Sequence, residues 1–147
     1  MTVRPADRPL AVEHSYKPVV GGSFLAQNEF PDLFRKSDYF QNFCIDKPTE
    51  AAIVQRLKRA AKRINPPGLL LAWYIDYVLT TGANWKGPIS QFRLTVDKDK
   101  PDNIVSFCMD NVHKISPTRF QVELRDFEPT KDLHVLIAED MPPDINN

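Results

Sequence analysis

Residues 49–64 carry the clearest pattern in the chain. Ile53, Val54, Leu57, Ala60, Ala61 and Ile64 recur at spacings of one, three and four, which is one apolar stripe of helical period. The spacing predicts a helix over 49–64. Pro48 suits its first turn, Asp46 or Thr49 suits its cap, and Asn65-Pro66-Pro67-Gly68 ends it. Beyond residue 68 the period changes to two. Leu69, Leu71, Trp73, Ile75, Tyr77 and Leu79 share one face. Phe92, Leu94 and Val96 alternate in the next segment, Phe120, Val122 and Leu124 in a later one, and Leu133, Val135 and Ile137 close the series. Residues 104–108 are short and apolar, and Lys100-Pro101-Asp102-Asn103 before them reads as a turn with Pro at its second position. Five strands spaced by turns predict a mainly β fold, an antiparallel sandwich-like domain with one amphipathic helix packed on it.

The N-terminal third is less regular. Residues 10–20 alternate, with Val12, His14 and Tyr16 on one face, and predict a further strand that a Gly21-Gly22 turn ends. Residues 23–48 have Phe24, Phe30, Phe34, Tyr39, Phe40 and Phe43 without a period. They predict a long loop with a short helix, held by aromatic anchors. The domain boundaries that follow are a disordered lead-in over 1–9, a single β-rich domain over 10–138 and a flexible tail over 139–147.

Composition changes this picture little. The chain has 147 residues, 19 basic and 19 acidic, so its formal charge is zero. That argues against a general nucleic-acid binder. Its 13 prolines fit short segments joined by rigid turns. The longest apolar run, 69–75, falls far short of the roughly 18 residues of a transmembrane segment. No secretory n-region and h-region opens the chain.

Several stretches, taken in order, resemble the C-terminal half of the bacterial domain-of-unknown-function 4424 family (DUF4424). They are VEHSYKPVVGGS at 12–23, FCID at 43–46, YVLTTGANWKGPISQFRLTVDK at 77–98, VSFC at 105–108, KISPTRFQVELRDFEP at 114–129 and DLHVLI at 132–137. The resemblance implies a periplasmic or secreted protein, made with a signal peptide and a further β-rich N-terminal region. It brings no activity, cofactor or catalytic residue. Set against that family, this chain reads as a fragment without the signal and the N-terminal half. The missing half is then a candidate partner, and a sheet edge exposed by its loss invites self-association.

Cys44 and Cys108, the only cysteines, stand where the resembled family carries cysteine. A spacing of 64 is not that of a redox Cys-x-x-Cys pair, and His14, His113 and His134 supply no local zinc spacing. Two readings stay open: a disulfide between a loop and a strand, and two buried free thiols. A disulfide would close a 64-residue loop, worth about 4 kcal/mol in the chain-entropy account, and would suit the periplasm.

Four other features carry candidate chemistry. Residues 47–63 hold Lys47, Arg56, Lys58, Arg59, Lys62 and Arg63 against Glu50 alone. Such a helix binds anionic surfaces, or forms a solvated face paired with the acidic segment 126–147, which is the reading preferred here. Asn84, Trp85 and Lys86 lie in TGANWKGPI, where a Trp on a rigid loop stacks on a sugar or plugs the end of a sandwich. Asp97, Asp99 and Asp102 share a turn that lacks the Gly and Glu of a calcium loop, so no metal is expected. His14 or His134 would serve an envelope hydrolase, but no hydrolytic, phosphate-binding or dinucleotide motif is present. The sequence therefore favours a non-catalytic extracytoplasmic module without a cofactor, binding a protein or the cell envelope. A glycan- or small-ligand-binding module using Asn84, Trp85 and Lys86 is the alternative, and an unrecognised hydrolase the less favoured third.

Overall fold

The computed structural model describes residues 11–15, 21–36, 38–62, 68–81 and 87–142. Among these residues seven strands form two antiparallel sheets. They are β1 (Gly21–Ala26), β2 (Leu69–Tyr77), β3 (Ile89–Asp97), β4 (Ile104–Phe107), β5 (Val112–Lys114), β6 (Arg119–Phe127) and β7 (Leu133–Asp140). The first sheet has the order β1-β2-β7-β4 and the second β3-β6-β5. Between β1 and β2 come α1 (Asp32–Arg35), α2 (Tyr39–Asn42) and α3 (Lys47–Ala60).

The four-stranded sheet is covered on both faces, which explains the unbroken apolar run at 69–75. Leu70 and Ala72 of β2, with Leu136 and Ala138 of β7 and Leu25 of β1, point to the helical layer and meet Ile53, Leu57 and Ala60 of α3. Trp73, Ile75, Tyr77 and Leu79 point the other way. They pack with Leu133, Val135 and Ile137 of β7 and with Leu94 and Val96 of the second sheet. The alternation read along 69–79 is therefore the face inside the sandwich.

The helix obeys its sequence signals. Asp46 is the N-cap, its carboxylate accepting the Thr49 N–H at 2.8 Å, and Pro stands in the first turn. Accepting from Thr49 holds the Asp46 carboxyl below the usual carboxylate range. Ile53, Leu57 and Ala60 are buried, while Val54 and Ala61 are half-buried. Ile64 lies outside the described residues.

Three expectations need correction. Residues 11–15 are exposed and belong to no strand; the strand begins instead at Gly21, where a turn was expected. The reason is Trp73. Gly22 pairs with Trp73 across the ladder, and a Cβ on Gly22 would stand 3.1 Å from the indole ring. A glycine beneath an aromatic neighbour is a strand device as well as a turn signal. The loop over 23–48 is in part β1 and in part the helices α1 and α2, with the Phe30 ring 5.6 Å from Phe34 and 5.7 Å from Phe40. Finally, Glu139 and Asp140, assigned to a tail, extend β7 and pair with Leu71 and Leu70. The lead-in over 1–9 and the last residues, 143–147, lie outside the described residues.

The connections cross between sheets. The turn after β3 closes with the Asn103 N–H donating to the Lys100 carbonyl at 3.0 Å, as the Pro101 turn predicts. In β6, Asp126 takes a left-handed φ of 51° and interrupts the alternation. The Phe127 ring then lies 4.4 Å from Phe92.

Candidate functional site

Cys44 and Cys108 are brought together by α2 and β4. Their sulfurs are at bonding distance, with the Cα atoms 5.1 Å apart. Cys44 sits between α2 and α3 and adopts a left-handed φ of 48°, a conformation that costs a non-glycine residue about 1 kcal/mol. Its neighbour Phe43 is buried, and the Phe43 carbonyl accepts a 2.7 Å hydrogen bond from the buried Ser106 hydroxyl of β4. The sequence signals neither the conformation nor this bond, which joins residues 63 apart. Cys108 follows β4 directly, its sulfur 3.2 Å from the Gln41 carbonyl oxygen. The pair thus fastens the N-terminus of α3 to the edge of the four-stranded sheet.

Around this staple lies a small polar group. The Phe43 ring packs at 5.7 Å from Tyr74 and meets the His134 ring edge-on at 6.4 Å. His134 Nδ1 is 2.5 Å from the Asp76 carboxylate, both residues sitting opposite one another on β7 and β2. Burial pushes the Tyr74 hydroxyl pKa up. Asp132 accepts the N–H groups of Leu79 and Thr80, each at 3.0 Å, and the Thr80 N–H above all holds its carboxyl low. The histidines do not share a cleft. His134 faces the helical layer, His14 Nδ1 is 3.2 Å from the Tyr77 hydroxyl of the opposite face, and His113 is on β5 of the second sheet. The hydrolase expectation required those rings to converge on one carboxylate.

At the other end of the sandwich, Lys98 is buried at 7% exposure. Its ammonium donates to the Pro101 carbonyl at 2.8 Å and lies 5.7 Å from the Phe120 ring centre. Burial lowers its pKa first, and the nearby Lys114 lowers it further. The Asp97 carboxylate accepts the Asp99 N–H and pairs with Arg119. Asp102 turns its carbonyl to the Arg56 guanidinium. The Asp97 carboxylate thus serves the turn, and among the described residues no group of three His, Cys, Asp or Glu side chains is arranged to hold a metal ion. Asn84, Trp85 and Lys86 lie outside the described residues.

Two surfaces remain. Strand β1 is an edge of its sheet, hydrogen-bonded to β2 on one side, and Phe24 on it is 52% exposed. Residues paired across β1 and β2 put Phe24 on the sandwich side, beside Leu71. Helix α3 covers the opposite face of the sheet and turns its basic side outward. Among the described residues no helix is long and apolar enough to cross a membrane.

No curated protein and no solved structure matches the chain. One family model does, over residues 2–136, a span that includes the staple, α3, the second sheet and the first sheet as far as the first half of β7. The chain belongs to the family described as domain of unknown function DUF4424.

Proposed function

We propose that this chain is a non-catalytic β module of the bacterial cell envelope, periplasmic or secreted, that binds another protein through the outer edge of β1. The observation that carries the binding is Phe24. A large aromatic side chain, half-exposed on a strand that is the last of its sheet among the described residues, has the two properties that strand addition uses. An extended partner segment gains ladder hydrogen bonds and an apolar anchor together. The extracytoplasmic setting is supported by the Cys44 and Cys108 sulfurs at bonding distance, since such bridges persist where the medium is oxidising. Membership of DUF4424 is compatible with this reading and adds no activity to it.

A photo-crosslinking phenylalanine analogue placed at position 24 of the exported protein tests the proposal. The control is position 93, exposed on β3 of the second sheet. A discrete, saturable adduct to one other protein from position 24 and not from 93 is the expected result. Equal labelling from both positions, or an adduct only with a second copy of this chain, would overturn it.

A further inference from the structure

We propose that the outer face of α3 is a docking surface for an anionic phospholipid bilayer. The side of the helix opposite Ile53, Leu57 and Ala60 presents Lys47, Lys58 and Arg59, with Ala51, Ala52 and Gln55 between them, and Lys62 follows in the turn after the helix; all four cations are exposed. No carboxylate stands on that side. The one acidic residue of the helix, Glu50, is paired with Arg35 of α1, and Arg56 on the flank is half-buried and paired with Asp140. Among the described residues no ion pair holds the other four cations. The chain as a whole is neutral, so its charge is segregated and not merely abundant.

Among the described residues, the acids of the segment 126–147 form no ion pair with these four cations. Asp132 is occupied by the N–H groups of Leu79 and Thr80, and Glu139 by Trp73, Asn103 and Lys100. Asp126 lies on β6 of the other sheet. Of the described acids of that segment, Asp140 is the one that pairs with the helix, through Arg56. Helix stability does not account for the row either. Lys58, Arg59 and Lys62 complement the negative end of the helix dipole, but Lys47 sits at the positive end and opposes it.

A membrane suits this face better than a polymer. The cations are spread along about 18 Å from Lys47 to Arg59, and the alanines between them let the helix lie close to a plane. Lysine is a compact, strongly hydrated point charge, suited to the diffuse field of headgroups. No aromatic ring is interleaved for stacking on bases. Leu33, 56% exposed on α1, adds an apolar side chain in the same layer. The surface is separate from the β1 edge, so Phe24→Asp leaves it intact and either proposal can fail alone.

The test is co-sedimentation of the full chain with vesicles of phosphatidylcholine, with and without a minority of phosphatidylglycerol. Binding to the anionic vesicles alone, abolished by about 0.5 M salt, is the expected result. The triple variant Lys47→Gln/Lys58→Gln/Lys62→Gln should weaken partitioning about a hundred-fold, at about five-fold per lysine. Arg93→Gln/Arg125→Gln on the second sheet should leave it unchanged. All five side chains are exposed, and an unaltered melting curve verifies the fold. Equal sedimentation with neutral vesicles, no loss in the triple variant, or binding to a short DNA duplex but not to vesicles would overturn the proposal.

Discussion

On its helical side the four-stranded sheet buries Leu25, Leu70, Ala72, Leu136 and Ala138 almost completely, beneath α3 and the rings of Phe30 and Phe43. On its other side Leu133, Val135 and Ile137 of the central strand β7 are buried as well, while Trp73, Ile75, Tyr77, Val105 and Phe107 of the flanking strands stay half-buried beneath the three-stranded sheet. The same strands build both faces, so strand sequence is not the difference. The helical layer is drawn from a long insertion between β1 and β2 and is fastened at one end by the Cys44–Cys108 staple and the Ser106–Phe43 bond. The second sheet is one strand narrower, and Phe24 on β1 is left half-uncovered. The sandwich side is left uncovered at Phe24 on β1, where the proposed partner segment would add.

The largest effect should come from the staple. Cys44→Ala/Cys108→Ala should cost about 4 kcal/mol, read by urea unfolding of oxidised wild type against the double variant. Wild-type stability in that variant would mean that the helical layer holds without it. Next come two leucines on opposite sides. Leu57→Ala empties a fully buried site under the helix and should cost about 3 kcal/mol. Leu94→Ala, half-buried on the sandwich side, should cost about half as much, near 1.5 kcal/mol. Equal losses by thermal and urea unfolding would erase the contrast between the two faces.

A smaller effect is expected at the helix cap. Asp46→Ala should cost about 1 kcal/mol at neutral pH. The Asp46 carboxyl pKa is depressed in the folded chain. Its contribution is therefore present above the ordinary carboxylate pKa and lost as pH falls through the lowered folded value. The gap between wild type and Asp46→Ala should close in acid, as pH falls through that lowered pKa. The smallest effect belongs to Arg93→Ala, which breaks the exposed 2.9 Å pair with Glu123 and should cost under about 1 kcal/mol.

The regular elements were legible because each has a period. The stripe of Ile53, Leu57 and Ala60 and its cap Asp46 mark α3, and the alternations in β2, β3, β6 and β7 mark a β sandwich. Strand β1 was hidden because Gly21-Gly22 reads as a turn until Trp73 is known to cover Gly22. Strand β5, Val112–Lys114, is three residues long and exposed, too short to show a period. Helices α1 and α2 have four residues each and are set by packing of phenylalanine rings, not by spacing. The extent of β7 was missed because Glu139 and Asp140 are charged, yet their carboxylates are used by Trp73, Lys100 and Arg56. The staple was legible as two cysteines, but the Ser106–Phe43 bond and the edge-on Phe43–His134 contact depend on tertiary approach. Likewise, which cations of α3 are without an ion pair among the described residues follows only once Asp140 and Glu139 have their partners.

The most direct test of an extracytoplasmic, stapled module is a thiol titration with intact mass on protein exported to the periplasm and unfolded without reductant. The account predicts no free thiol in a monomer whose mass is short by two hydrogens, placing Cys44 and Cys108 in one bridge. Two free thiols in a well-folded exported protein would contradict it.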